Sequence, residues 1–301
     1  MASPTVATHG KLIALYRLRP NGFKGVGLND ASWGLAATNA ATAYYEVVID
    51  SELGGTAGVD TCKWRKNGGA WTEDVDITGA EQTLDEGQKI TFAATTGHTL
   101  TDQWVIGNLK DEATTESGAD AQITDATHRM LNPNSPPTFT DDGGKHVLVQ
   151  DFTRGKATFD GNVGNVDVDG NNGWVPAAAL QVVGYLFGWS LNMSVEIAKI
   201  PEAGQDWLDK IVGHSDMNGS ADTYFIGTET FKDMVDEMAA SGDRWFLLQF
   251  FNYDPDQDQT GDHMIAWGTV AGLNVAAQVG VVVTEKVTFE VHDIPSFVAN
   301  A

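Results

Sequence analysis

The sequence has few cysteines, few basic residues and no long apolar run. Its one cysteine, Cys62, excludes a framework of internal disulfides and a metal site built from several cysteines, so assembly in the cytoplasm is the simplest expectation. No apolar run approaches the roughly 20 residues that span a bilayer. Residues 1–11 (MASPTVATHGK) lack the apolar centre of a signal peptide. We therefore expect a soluble chain without a membrane partner.

The charge is strongly acidic. The 301 residues include 41 acidic and 18 basic side chains, for a formal net charge of −23. Such a surface repels nucleic acid, because phosphate binding needs clustered lysine and arginine. Sequence-specific DNA binding is therefore not expected. Two explanations of the charge stay open: solubility or adaptation to a salty habitat, and a surface that lets DNA pass without sticking.

Composition and pattern predict a mainly β (α+β) fold with two domains. The chain is long enough for two hydrophobic cores, and its 33 glycines are typical of strands joined by tight turns. In EKVTFEVHD, Val287, Phe289 and Val291 alternate with polar residues, which predicts a strand with one buried face. Strands are predicted in the same way in HVLVQDF, KATFDGNVGNVDVDG, AALQVVGYLFGWSLNMSVEIAKI, RWFLLQFFNY and HMIAWGTVAGLNVAAQ.

One helix is predicted at residues 230–241. Apolar residues from Phe231 to Met238 follow helical spacing, Thr230 caps the start, and Gly242 ends it. A weaker helix is predicted at residues 204–213.

The segment 245–251 (WFLLQFF) is apolar on both faces of a strand. Either the helix or a neighbouring subunit must then cover one face, and an obligate oligomer is a simple physical answer. The residues that we expect at a subunit interface are Trp245, Phe246, Phe250, Phe251 and Trp267.

No pattern favours catalysis or a cofactor. The seven histidines are scattered without metal-ligand spacing, and Cys62 alternates with Trp64 as a small core residue would. In GHSDMNGS (213–220), His214 is followed directly by a serine and an aspartate, and neighbours on a flexible loop cannot form a catalytic relay. The chain also lacks the nucleophile elbow, the P-loop and the dinucleotide fingerprint.

An acid-rich loop at residues 252–262 is a weak calcium candidate. The spacing of a calcium-binding EF-hand fails, because Gln259 stands where glycine is required and Ile265 where glutamate closes the loop. A solvated hairpin tip is the preferred interpretation, and a turn is preferred for VDVDGNNGW (166–174). The candidate ligands of the first loop are Asp254, Asp256, Asp258 and Asp262.

The stretch from Tyr44 to Trp104 has short alternating runs separated by Gly-Gly, Asn-Gly-Gly and Asp-Glu-Gly turns, which predicts a small β-sandwich. Through YEVVID, CKWRKNGGAW, ITGAEQTLDEG and ITFAATTGHTLTDQW it resembles the immunoglobulin-like module of tailed-phage virion proteins. We expect this module at residues 40–109 as an insertion. Residues 110–142, acidic and rich in proline towards their end, are expected to be a linker.

The flanking residues, 1–39 and 143–301, resemble the major tail tube protein of long-tailed (siphovirus-type) bacteriophages. The likeness rests on the order of GKLIALYRL, GKATFDGNVGNVDV, GWSLNMSVEIAKI, TFKDMVDEM, RWFLLQFFNY, HMIAWGTVAGLNVAAQVG and VTEKVTFEVHD. It implies a β-sandwich with one flanking helix and hexameric rings stacked into a tube of the virion tail. DNA would pass through that tube without specific binding. The implied partners are further copies and other tail proteins: tape measure, tail terminator and tail tip.

Two other functions stay open at this stage. One is a head decoration or capsid-associated protein, which also often carries such modules. The other is a carbohydrate-binding adhesin, in which Trp71 at the GGAW turn would contact surface sugars. A passive decorating role for the module is preferred over specific binding.

Overall fold

The structure is a computed structural model of the whole chain. It describes residues 13–18, 21–25, 27–35, 41–200, 209–224, 246–251, 263–276, 284–291 and 296–298. The chain divides into two units. We name residues 1–16 and 182–301 the split unit and residues 17–181 the inserted unit.

The described residues are mainly antiparallel β-strands. The first ten are β1 (Ile13–Arg17), β2 (Phe23–Lys24), β3 (Ala31–Leu35), β4 (Ala43–Ser51), β5 (Thr61–Lys66), β6 (Thr72–Asp76), β7 (Gln82–Thr83), β8 (Gln88–Phe92), β9 (Gln103–Ser117) and β10 (Asp120–Ile123). The next ten are β11 (Thr138–Asp141), β12 (Val147–Asp151), β13 (Lys156–Phe159), β14 (Val166–Trp174), β15 (Gln181–Ile200), β16 (Asp209–Tyr224), β17 (Phe246–Phe251), β18 (His263–Ala276), β19 (Thr284–Val291) and β20 (Ser296–Val298).

Short 3₁₀ turns interrupt the strands at Thr56–Gly58, Ala126–His128 and Ala177–Ala179. In the part of the chain that the structure describes, no helix is long and apolar enough to cross a bilayer. The helix predicted at 230–241 lies outside the described residues. The mainly β class is confirmed.

The first core of the inserted unit lies between two sheets, in the order β2-β9-β4-β5-β6 and β3-β8-β7. We call this part the first sandwich. The predicted alternation is confirmed, because Tyr45, Val47 and Ile49 of β4 are all buried. The core consists of Phe23, Ala31, Val47, Ile49, Cys62, Ile77, Ile90, Phe92 and Trp104.

The predicted hairpin turns of the first sandwich are also confirmed. Between β5 and β6, Asn67 and Gly68 both have positive φ, at 48° and 67°. The Gly69 N–H donates to the Lys66 carbonyl at 2.9 Å and closes the turn. This geometry matches the right-handed twist of the flanking strands, which is why Asn-Gly predicts it. Residues 85–88 repeat it between β7 and β8.

The long strand β9 connects two cores. Its first half, residues 103–108, pairs with β2 and β4. In the second half, residues 114–117 pair with β10. Strand β14 pairs with residues 107–113 between them. Asp111 has a positive φ of 46° where the register with β14 shifts. This irregularity separates the two halves. The second core is surrounded by the second half of β9 and by strands β10 to β14. We call this part the second sandwich. Its core consists of Leu109, Ala121, Ile123, Leu131, Phe139, Ala157, Phe159, Val166, Val168 and Trp174.

These observations correct the predicted boundaries. The first sandwich begins before residue 40, because Phe23 and Ala31 belong to its core. Residues 143–181, expected in the flanking domain, belong to the inserted unit. The motif GKATFDGNVGNVDV therefore forms β13 and β14 of that unit.

The prediction of an irregular linker at 110–142 is wrong for much of its length. Residues 110–117 continue β9, and β10 and β11 follow. Polarity is a poor guide here, because β14 pairs with this strand up to Ala113, β10 pairs with it from Thr114 onward, and its threonines favour extended structure. The three prolines act only locally, between Leu131 and β11. The turn predicted at 166–174 is likewise wrong, since these residues form β14.

The split unit contains a sheet in the order β17-β1-β15-β16-β19-β18-β20. A further pairing joins β17 to β18, so the sheet closes on itself. The N-terminal strand β1 lies between two strands from residues 182–301. The alternation predicted for β19 agrees with its described side chains, because Phe289 is buried while Lys286 and Glu290 are exposed.

Two local predictions for the split unit are wrong. The weaker helix predicted at 204–213 overlaps β16, which begins at Asp209, so its second half is a strand. Residues 204–208 lie outside the described part. The segment 213–220 is not a flexible loop but the middle of β16, paired with β15 and β19. Its histidine, serine and aspartate follow one another along the backbone of this strand.

Candidate functional site

The described residues contain no catalytic arrangement around the cysteine. Cys62 lies in the first core with 2% of its surface exposed. Burial, followed by the charge of Asp50, raises the pKa of the Cys62 thiol to about 12. The thiol stays protonated at neutral pH, so it is not a nucleophile. Its prediction as a small core residue is confirmed.

Trp71, the predicted surface-contact residue, is half-buried at the start of the β5–β6 hairpin's second strand. The Arg65 guanidinium lies 4.4 Å and the Lys63 ammonium 5.1 Å from the centre of its ring. Two N–H groups of Arg65 in turn donate to the buried Glu46 carboxylate at 2.7 and 2.9 Å. These hydrogen bonds raise the pKa of Arg65. The indole is therefore engaged by cations of its own chain.

The predicted subunit-interface residues fall around the β17–β18 pair. Leu247 pairs with Trp267, and neither side chain is exposed. Trp267 is thus corrected to a core residue, since a side chain buried within one chain offers no surface to another. Trp245 lies outside the described residues. For Phe246, Phe250 and Phe251 only the strand backbone is described, and their interface role remains a prediction.

The calcium candidates Asp254, Asp256, Asp258 and Asp262 lie outside the described residues. The second acidic motif is placed on β14. There the Asp169 carboxylate accepts from the Lys110 ammonium and from the Asp111 N–H, both at 3.1 Å. This carboxylate supports the irregularity in β9 instead of presenting oxygens to a metal.

A buried histidine between two carboxylates was not predicted from the sequence. His98 is fully buried, with Nδ1 2.9 Å from Oδ2 of Asp60 and Nε2 3.0 Å from Oδ1 of Asp30. Asp60 also accepts from the Leu53 and His98 N–H groups, and Asp30 accepts from the Ala94 N–H. Each of the four carboxylate oxygens therefore faces a donor.

The hydrogen bonds of the Asp30–His98–Asp60 cluster, which we call the His98 node, indicate which of its groups are charged. With both carboxylates ionised, and so able only to accept, both ring nitrogens of His98 donate, which is the imidazolium form. Burial alone would raise the pKa of Asp60, but the hydrogen bonds from Leu53 and His98 lower it. The node joins three loops at one end of the first sandwich. Residues 30, 60 and 98 are too far apart in sequence for any local pattern to reveal it.

A second histidine forms a convergent cluster in the second sandwich. His128 Nδ1 lies 3.0 Å from Oε1 of Glu112 and 3.8 Å from Oδ2 of Asp125. Glu112 comes from β9, while the other two residues come from one 3₁₀ turn. The sequence signal was the Asp-x-x-His spacing at 125–128, which is meaningful only once Glu112 is brought beside it.

No protein-family model and no curated protein matches the chain. Several chains of solved structures are similar to part of it, including two from gene transfer agent particles. The first is the virion of a native gene transfer agent particle, with 12% identity and a TM-score of 0.31 over 40% of this chain and 89% of that one. The second is the tail of an empty gene transfer agent particle with C6 symmetry, with 12% identity and a TM-score of 0.32 over 41% and 89%. Both likenesses are weak and partial.

Proposed function

We propose that this chain is a structural virion protein, the major tail tube subunit of a phage-type tail. The split unit supports this proposal most. Its N-terminal strand β1 lies between β15 and β17, so the two ends of the chain build one closed sheet. The resemblance of the flanking segments to tail tube proteins is carried by strands of this sheet: GKLIALYRL, GWSLNMSVEIAKI, RWFLLQFFNY, HMIAWGTVAGLNVAAQVG and VTEKVTFEVHD.

The net charge fits the same role. A channel wall with fixed negative charge repels DNA phosphate, and the chain carries −23. DNA would then pass without specific binding, and the tape measure, terminator and tip proteins would be the other partners. The aromatic residues of β17 are proposed to lie at a subunit interface, and the acid-rich loop 252–262 is proposed as a solvated hairpin tip with weak calcium-binding potential.

The direct test of oligomerisation is sedimentation velocity of the purified full chain. We expect a species of six times the 32.2 kDa chain mass, or larger multiples of it. A head decoration protein, the first rival, would sediment as a monomer or trimer in the absence of capsid. A monomer or trimer at all concentrations would contradict the proposal.

The inserted unit is proposed to project outward and to act passively. The geometry of Trp71 favours this role over sugar binding, because cations of the same chain already lie over its ring. A sugar that stacked on the face of the ring under these cations would have to displace them.

Trp71→Ala is therefore expected to leave both assembly and glycan binding unchanged. Losing the two cation–π contacts should lower the free energy of unfolding by only about 1–2 kcal/mol. Glycan-array binding and sedimentation of the wild-type and variant chains check this. Binding of wild type that disappears in the variant, with assembly intact, would favour the second rival, a carbohydrate-binding adhesin.

A further inference from the structure

The cluster of Glu112, Asp125 and His128 brings three potential metal ligands to one point. One ligand atom from each residue can be chosen so that all three lie within 4.8 Å of one another. Zinc bonds of about 2.0–2.2 Å place ligand atoms roughly 3.3 Å apart in a tetrahedron. The distances of 3.0 and 3.8 Å from His128 Nδ1 to the two carboxylates bracket that value. Small rotations of the Glu112 and Asp125 side chains would bring the three ligand atoms to the spacing of a tetrahedral zinc site.

Both carboxylates approach the same ring nitrogen of His128. A single Nδ1 proton can donate well to Glu112 at 3.0 Å, but Asp125 at 3.8 Å lies beyond hydrogen-bond distance. A divalent cation would satisfy all three atoms together and neutralise the two carboxylates. The buried His98 node differs in this respect, because its carboxylates bind opposite ring nitrogens and cannot chelate with it.

The surrounding residues hold the ligands in place. The Thr127 N–H and hydroxyl both bind Oδ1 of Asp125 at 2.8 Å, which leaves Oδ2 on the side of His128. The His128 ring packs on Trp174, with ring centres 4.6 Å apart. Arg129, which follows His128 in the sequence, donates instead to the carbonyl oxygens of Ile123 and Thr124, at 2.8 and 3.1 Å. Glu112 and His128 are mostly buried, whereas Asp125 is half-exposed and leaves an entry path.

We propose that Glu112, Asp125 and His128 bind one divalent transition-metal ion, of which zinc is the reference case. One imidazole nitrogen and two carboxylates suit zinc, nickel, cobalt or copper better than calcium or magnesium, which prefer all-oxygen sites. Water would fill the remaining positions. The bound ion joins the 3₁₀ turn Ala126–His128 to β9 and so fixes the connection from β10 to β11. This role is independent of assembly into a tube.

The test is calorimetric titration of the metal-free full chain with ZnCl₂, together with hydrogen exchange. We expect one saturable equivalent that depends on His128, and increased protection of residues 124–130 when zinc is bound. At zinc about a hundredfold above its dissociation constant, the melting temperature of the inserted unit should rise by roughly 5–10 °C.

Two variants separate metal binding from folding. His128→Gln and the isosteric Glu112→Gln should each weaken this equivalent at least about tenfold and abolish the added protection. His146→Gln, which removes an exposed histidine elsewhere in the same sandwich, should bind as wild type does. The proposal is overturned if wild type shows no saturable binding at millimolar ZnCl₂, or if both ligand variants bind zinc as tightly as wild type.

Discussion

Replacing His98 with alanine is expected to lower the free energy of unfolding of the first sandwich by about 3–5 kcal/mol. The imidazolium is the counterion of Asp30 and Asp60, and both of its ring nitrogens donate to them, at 3.0 and 2.9 Å. Without it, two largely buried carboxylates would remain with no compensating charge. Urea denaturation followed by tryptophan fluorescence measures the loss, since Trp104 lies against His98.

The matched control for this prediction is His146→Ala. That histidine is exposed, so its removal should change the unfolding free energy by less than about 0.5 kcal/mol. Adding Asp30→Asn to the His98 variant should recover part of the loss, because one uncompensated charge is removed. A loss below about 1 kcal/mol for His98→Ala would show that the node is not charged as described.

Truncating Trp104 to alanine is expected to destabilise the first sandwich by about 3–5 kcal/mol. Its side chain is fully buried between Phe23 and Phe92, with ring centres 5.0 and 5.2 Å away. Alanine would leave a large cavity and remove both aromatic contacts. Because Trp104 lies on β9, we expect faster hydrogen exchange in the second sandwich as well, not only in β4 and β8.

Trp71→Ala is the control for the Trp104 substitution, since it makes the same change at a half-buried ring. The two losses should differ by at least about 1 kcal/mol. Equal losses, or fast exchange confined to the first sandwich, would contradict the account of β9 as a strand shared between two cores.

Local chemistry was enough to predict strands β4, β5, β6 and β8 of the first sandwich and its tight turns, but not β2 and β3. Tyr45, Val47 and Ile49 alternate with less apolar residues, and Asn67-Gly68 supplies the positive φ values of a tight hairpin. The second half of β9 could not be predicted in this way. Its side chains are polar, and it is extended because β14 and then β10 pair with successive parts of it.

The candidate sites were harder to predict because they depend on distant residues. Asp60 and His98 are 38 positions apart, and Glu112 and His128 are 16 apart, so only the fold brings each pair together. The hydrophobicity of Trp267 predicts that its side chain is shielded from water, and the structure agrees. That shielding is supplied within the chain itself, which the sequence pattern could not distinguish from shielding by a neighbour.

The central claim is that the split unit forms a ring and that the rings stack into a tube. Negative-stain electron microscopy of the purified full chain tests it most directly. The proposal predicts rings with six-fold symmetry, or hollow tubes built from them, with extra density on the outer surface from the inserted unit. A field of dispersed monomers under all salt conditions would contradict the proposal.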